Sequence, residues 1–247
     1  MTLCIIQARM GSTRLPGKSM KPLAGKPSLW HVVTRCQQAK TLDRIMVATT
    51  VRQEDDRIAA FCEANGVAYF RGSADNVLER YYLAARSVAP EVVVRVTADC
   101  PLIDPETIDV CVRQLESVGW GYLSNAAPGE RTYPYGLDIE AFLFEELKRA
   151  YTNATQPTQK EHVTPYIHQT SSCVGPILIA PPALSRPYRL TVDYPEDFQL
   201  MERIYAALYQ PGTIISTVAA LAWLDEHPEV ANINDAMKER WQQNKNW

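Results

Sequence analysis

Short apolar runs alternate along this chain with longer stretches in which apolar residues return every three or four positions, the pattern of strands and amphipathic helices in turn. Residues 3–8 and 45–49 read as buried strands, and a helix over about 28–40 lies between them. A helix over 54–65 follows and stops at Gly66; 67–70 make a short strand, and Asp75 caps a helix running to about 88. Residues 92–97 are nearly all β-branched and read as a central strand. Just beyond it, Asp104 followed by Pro105 and Glu106 marks the start of another helix.

Past Gly119 the pattern loosens. Residues 121–126 read as a strand, 129–136 as a polar, aromatic loop, and 137–142 as a strand behind it. Helices are predicted over 144–151 and over 159–169, the second strained by Pro165. Strands at 174–180 and 189–192 come next, then a helix opened by Pro195 and reaching about 209. From about 216 the chain is helical and polar, a segment expected to pack rather than react.

Strands and helices in alternation predict an α/β fold built on an open sheet. No period repeats and no low-complexity linker interrupts residues 1–247, so a single domain with a helical carboxyl-terminal segment is expected. With 46% hydrophobic residues the chain can bury a substantial core.

A net charge of −3 offers no global field for nucleic acid, so any basic site is local and suits a small anion. Six cysteines, at 4, 36, 62, 100, 111 and 173, show no Cys-x-x-Cys spacing and read as reduced core thiols. No apolar run approaches the roughly 20 residues that span a bilayer. Leu3 to Ile6 is too short for the core of a signal peptide, so a cytoplasmic protein without a membrane partner is expected.

The chemistry concentrates after the first strand, in Gln7-Ala8-Arg9-Met10-Gly11-Ser12-Thr13-Arg14-Leu15-Pro16-Gly17-Lys18. Glycines let backbone N–H groups approach a polyanion, and Arg9, Arg14 and Lys18 add charge-assisted hydrogen bonds; a nucleoside triphosphate fits such a cradle. It is not the P-loop of ATPases and GTPases, which has four residues between its glycines and opens a helix at Gly-Lys-Ser/Thr. Here five residues separate Gly11 from Gly17, and Pro22, Gly25 and Pro27 prevent a helix from following, so the loop is expected to stay extended.

Two aspartates stand at the carboxyl ends of predicted strands, where open α/β sheets bind ligands: Asp99 after 92–97 and Asp193 after 190–192. A hard divalent ion such as Mg²⁺ takes a few carboxylate oxygens together with phosphate oxygens and water, so two aspartates suffice. The alternative is that both cap the helices that follow them. Zinc spacing is absent, since Glu161-His162 and His168 do not share a helical face, and no Gly-x-Ser-x-Gly elbow occurs.

With these residues placed, the chain resembles the cytidylyltransferases that activate acidic sugars, the CMP-Kdo and CMP-sialic acid synthetases. It looks most like the branch named for spore coat polysaccharide biosynthesis protein F. IIQARMGSTRLPGK is similar to the family's triphosphate loop, RVTADCPLIDP to its first metal aspartate and RLTVDYPEDF to its second; YPYGLDIEAF and KEHVTPYI look like segments of the spore-coat branch. Ala98 stands where Kdo-type enzymes usually carry glycine.

The resemblance implies a Rossmann-like nucleotide-diphospho-sugar transferase fold, a mostly parallel mixed sheet flanked by helices. It implies Mg²⁺-dependent transfer of CMP from CTP to a sugar, with pyrophosphate released, and it leans toward a homodimer. Arg9, Gly11, Ser12, Arg14 and Lys18 would grip the triphosphate, and Asp99 and Asp193 would hold Mg²⁺. Gln7, Ala8, Arg71, Ser73 and Asp75 would face the nucleoside. Tyr135, Asp138, Glu140, Lys160, His162 and Arg189 would wall the sugar site. Arg71 also reads as a surface cation, His162 as a packed helical histidine and Glu140 as a paired buried charge. Transfer from another NTP or to a sugar 1-phosphate, and a catalytically silent nucleotide-binding protein, remain open alternatives.

Overall fold

The computed structural model describes residues 1–126 and 131–243, with backbone alone for Glu239 and residues 241–243. Its centre is a six-stranded sheet ordered β5-β4-β1-β6-β8-β7. The strands are β1 (Thr2–Gln7), β4 (Arg44–Thr50), β5 (Ala68–Gly72), β6 (Val92–Thr97), β7 (Tyr122–Ser124) and β8 (Glu140–Leu143); β2 (Pro22–Leu23) and β3 (Lys26–Pro27) form a separate hairpin. β5, β4, β1 and β6 run parallel, whereas β8 is antiparallel to both β6 and β7.

Central strands buried on both faces need apolar side chains on both: β1 carries Leu3–Ile6 as an unbroken run, and β6 carries four valines interrupted only by Arg95. One face of the sheet packs against α1 (Ser28–Cys36), α2 (Asp56–Ala64), α4 (Pro105–Val118), α8 (Pro195–Leu208) and α9 (Thr217–Glu226). The other packs against α3 (Val77–Arg86), α5 (Phe144–Asn153) and α7 (Pro165–Thr170). The chain leaves β1 toward β4 and β5 and returns to place β6 on the opposite side of β1, with Gln7 beside Ala48 and Thr97. Strand order reverses there, the place where open α/β sheets bind ligands in the crevice between diverging loops.

Several predicted elements take other forms. The helix expected over 159–169 is two short ones, α6 (Pro157–His162) and α7, separated by Val163 at φ 71. The helix expected to 40 ends at Cys36, and the one expected from 54 starts as a 3₁₀ turn, Gln53–Asp55. Asp75 caps nothing; Asn76 accepts from Glu79 N at 3.0 Å and starts α3, because its side chain stands at the correct distance from that amide.

No strand forms at 174–180. Gly175 N and Leu178 N donate to Tyr122 O and Ser124 O, but Pro176 has no N–H to continue a ladder. Residues 189–192 also stay outside the sheet, touching Tyr135 through one isolated bridge. Their amides are taken by loops instead, Leu190 N by Tyr135 O and Val192 N by Asp99 O. The carboxyl-terminal segment adds α10 (Pro228–Ala231) and α11 (Asp235–Gln243) after α9.

Gly129 and Glu130 of the predicted loop lie outside the described residues. Among the described residues no helix is long and apolar enough to cross a membrane. All six cysteines are free, five buried and Cys173 exposed.

Candidate active site

The loop after β1 is a closed turn. Gly17, at φ 68, turns the chain so that its N–H reaches Met10 O at 3.0 Å, and Ser12 N reaches the same oxygen at 2.8 Å. Met10 N in turn donates to Asp55 Oδ1 at 2.6 Å, and Asp55 Oδ2 accepts from Thr50. A fully buried carboxylate on the neighbouring connection thus fixes where the loop begins. The loop ends in a single 3₁₀ turn, Lys18–Met20, so the extended course expected of it is replaced by a compact one.

That turn aims Lys18 across the crevice. Its ammonium donates to Asp99 Oδ2 at 2.7 Å, Asp193 Oδ1 at 2.9 Å and Val192 O at 2.9 Å, one acceptor for each proton. Arg14 also reaches Asp193 Oδ1, at 2.9 Å, and lies 5.0 Å from the centre of the Tyr194 ring. The bond from Val192 N to Asp99 O joins the two acidic loops directly, and Thr97 Oγ1 donates to Asp99 Oδ1 and orients it. Neither aspartate caps a helix: Asp104 accepts from Thr107 N ahead of α4, and Asp197 accepts from Tyr194 N ahead of α8.

Beneath Asp193 lies a buried polar pedestal. Arg189 donates to Asp193 Oδ2 at 2.9 Å and to both oxygens of Asp197, and the backbone N–H of Asp193 also donates to Asp197 Oδ2. Burial alone would raise the Asp193 carboxyl pKa, but Lys18, Arg14 and Arg189 outweigh it and hold it down at about 2. Burial likewise works against the Lys18 ammonium, and Asp99 and Asp193 more than offset it, so its pKa rises. A charged lysine between two carboxylates, beside an arginine and at a strand-order reversal, is equipped to bind a polyanion together with a cation.

A family model described as Cytidylyltransferase matches residues 3–214. The chain belongs to the cytidylyltransferase family. Spore coat polysaccharide biosynthesis protein SpsF of Bacillus subtilis is 35% identical, over 95% of this chain and 98% of that protein. A 3-deoxy-manno-octulosonate cytidylyltransferase of Anaeromyxobacter dehalogenans is 45% identical over 46% of each chain. The solved structure of a cytidylyltransferase from Leptospira borgpetersenii superposes with a TM-score of 0.84 at 31% identity, covering 93% of this chain and 96% of that one. The protein is therefore a nucleotidyltransferase by family, with a Rossmann-like sheet.

Within this cytidylyltransferase, Gln7 and Ala8 end β1 at the crevice floor, where Ala8 N is bonded to Ala48 O. Arg9 is exposed on the loop and Gly11 lies beside Glu54; Ser12 Oγ accepts from Leu15 N at 3.4 Å. Arg71 is tied down rather than loose, donating to Thr50 O and Arg52 O at 3.0 Å each and pairing with Asp56. Ser73 Oγ accepts from Asn76 N, while Asp75 is exposed and paired with Arg52.

The proposed sugar wall divides. Tyr135 and Asp138 share Arg131, which lies 4.2 Å from the centre of the Tyr135 ring and 2.6 Å from Asp138 Oδ1. Gly136, at φ 95, lets that loop lie against the backbone of Leu190 and Thr191, and a Cβ would collide with both. Lys160 and His162 are half-buried on α6, and burial lowers the His162 pKa. Two expected wall residues are something else. Arg189 is 1% exposed and points into the pedestal. Glu140 is buried against Arg95, Tyr122 and Thr164, a paired charge inside the core.

Asp55, Thr97 and Asp197 escaped sequence reasoning. Asp197 carried a usable signal, since an acidic residue three positions after Tyr194, with proline at the first helical position, has capping-box spacing. Asp55 and Thr97 carried none, because their partners come from other elements.

Proposed function

We propose that this cytidylyltransferase transfers CMP from CTP to a hydroxyl of an acidic sugar, with Mg²⁺ held by Asp99 and Asp193 and pyrophosphate released. One observation carries the reading: Asp99 Oδ2 and Asp193 Oδ1 converge on a single cationic atom, Lys18 Nζ, at 2.7 and 2.9 Å. Two hard anionic oxygens facing one point are the donors Mg²⁺ takes when phosphate oxygens and water complete its shell.

When bound there, the ion would supply positive charge to the phosphate oxygens. The Lys18 ammonium occupies that point in the ligand-free chain; with the ion in its place Lys18 would turn to the triphosphate, which Arg14 would also grip, and Asp55 keeps the loop that carries them in register. The sugar hydroxyl attacks the α-phosphorus in line, its bond forming as the bond to the bridging oxygen breaks and pyrophosphate departs, with the hydroxyl proton passing to water; positioning and charge do most of the work. The acidic sugar and a role in polysaccharide biosynthesis come from the names of the two relatives, one a spore coat polysaccharide protein and the other acting on 3-deoxy-manno-octulosonate. The reading places the reaction in the cytoplasm, which holds the nucleoside triphosphates.

Pyrophosphate-coupled assays with CTP, UTP, ATP and GTP, each with Mg²⁺ and a panel of ulosonic acids and sugar 1-phosphates, test this. CTP with an acidic sugar should release pyrophosphate, and Lys18→Ala and Asp99→Ala should each lower kcat by about 100-fold or more while folding normally. Turnover confined to another NTP or to a sugar 1-phosphate would overturn the substrate assignment. A wild-type rate in Asp99→Ala would remove the metal site.

A further inference from the structure

The family match ends at residue 214, yet one side chain well beyond it reaches the base of the site. Asn234 lies between α10 and α11 and is 1% exposed. Its amide nitrogen donates to Asp197 Oδ1 at 2.7 Å and to Arg189 O at 2.9 Å. Both neighbours are acceptors, so only the NH₂ end of the amide can face them. Asp197 therefore receives Asn234 and Arg189 on one oxygen, and Arg189 with the backbone N–H groups of Asp193 and Tyr194 on the other.

We infer that Asn234 is a positioning residue for the acidic site, and that the carboxyl-terminal segment is a working part of the enzyme. The inference rests on the reading of Asp193 as a metal ligand. The chain of contacts is short: Asn234 orients Asp197, Asp197 orients Arg189 and the Asp193 backbone, and Arg189 holds Asp193 Oδ2. That leaves Asp193 Oδ1 turned toward Lys18 and Arg14. Every member of the pedestal is at least nine-tenths buried, so no water substitutes easily for a lost donor. Residues in this outer position around a metal carboxylate change metal affinity or activity by about 10–100-fold when removed.

The test uses the full chain with Asn234→Ala, Asn234→Asp and, as a control on α11, Lys238→Ala. CTP binding is measured calorimetrically with and without Mg²⁺, and turnover is measured against Mg²⁺ concentration. Asn234→Ala should lose most of the Mg²⁺-dependent tightening of CTP binding while binding metal-free CTP within about threefold of wild type. Its kcat should fall about 10-fold or more, and its half-saturating Mg²⁺ should rise by a similar factor.

Asn234→Asp replaces the donor facing Asp197 with a carboxyl, so in the folded variant the half-saturating Mg²⁺ should rise as in Asn234→Ala while metal-free CTP binding holds, a split a purely structural role would not create. Lys238→Ala should match wild type. If Asn234→Ala does not fold, the Mg²⁺ response of folded Asn234→Asp decides. A folded Asn234→Ala with unchanged Mg²⁺ response overturns the inference alone. A wild type in which Mg²⁺ leaves CTP binding unaltered overturns the reading of the site and the inference with it.

Discussion

Asp193→Asn removes one negative charge from beneath three cations while keeping the shape of the side chain, which makes its cost calculable. The carboxyl has an ordinary value of 3.8 and is held at about 2 in the folded protein. A depressed folded pKa contributes stability that is fully present above the unfolded value and is lost as pH falls through the folded one. At 1.36 kcal/mol per pKa unit, the ionised group contributes about 2 kcal/mol at pH 7 and roughly half of that at pH 3. Urea denaturation of the ligand-free wild type and variant at pH 7, 5, 4 and 3 reads the difference. The gap between them should hold steady from pH 7 to 5 and shrink by pH 3. With Asp193 only 9% exposed, it should also respond weakly to salt. A gap that is equal at pH 7 and pH 3, or a variant more stable than wild type, would refute the claim that Lys18, Arg14 and Arg189 stabilise an ionised Asp193.

Glu140→Gln leaves the Arg95 guanidinium buried without its counter-charge and should cost roughly 3 kcal/mol in denaturation, with kcat/KM of the folded enzyme nearly unchanged. A large loss of kcat/KM with normal stability would return Glu140 to the sugar site. Asp55→Asn turns an NH₂ toward donors at Met10 or Thr50 and should cost about 1–3 kcal/mol. Because Asp55 anchors the loop and touches no substrate, the KM for CTP should rise more than kcat falls, and steady-state kinetics on the folded variant checks that split.

What could be read directly was whatever depends on neighbours in the chain. The apolar runs of β1 and β6 and the capping of α4 by Asp104 are local, and they stand where the pattern predicts. The three cations of the amino-terminal loop were legible because they lie within ten residues of one another. Strand character at 174–180 and 189–192 was misread because β propensity reports a fit to a half-buried surface, and these segments lay their backbones against loops instead. The resemblance puts Arg189 and Glu140 in a sugar wall, yet burial turns both inward to partners, Glu140 as the paired buried charge that its apolar run also suggests. Asp75 differs from Asn76 by one position, which is enough to put its side chain out of reach of the helix.

Sequence by itself determined the α/β alternation, the gathering of three cations on the loop after β1 and the place of Asp99 just past β6. Tertiary structure alone decided that Lys18 meets Asp99 and Asp193 across 81 and 175 residues of chain, and that Asn234 closes the pedestal from beyond the family's matched span. Local preference is set by φ, ψ and side-chain period within a few residues. The meeting of distant charges is set by strand order, and strand order emerges only when the two faces of the sheet are buried.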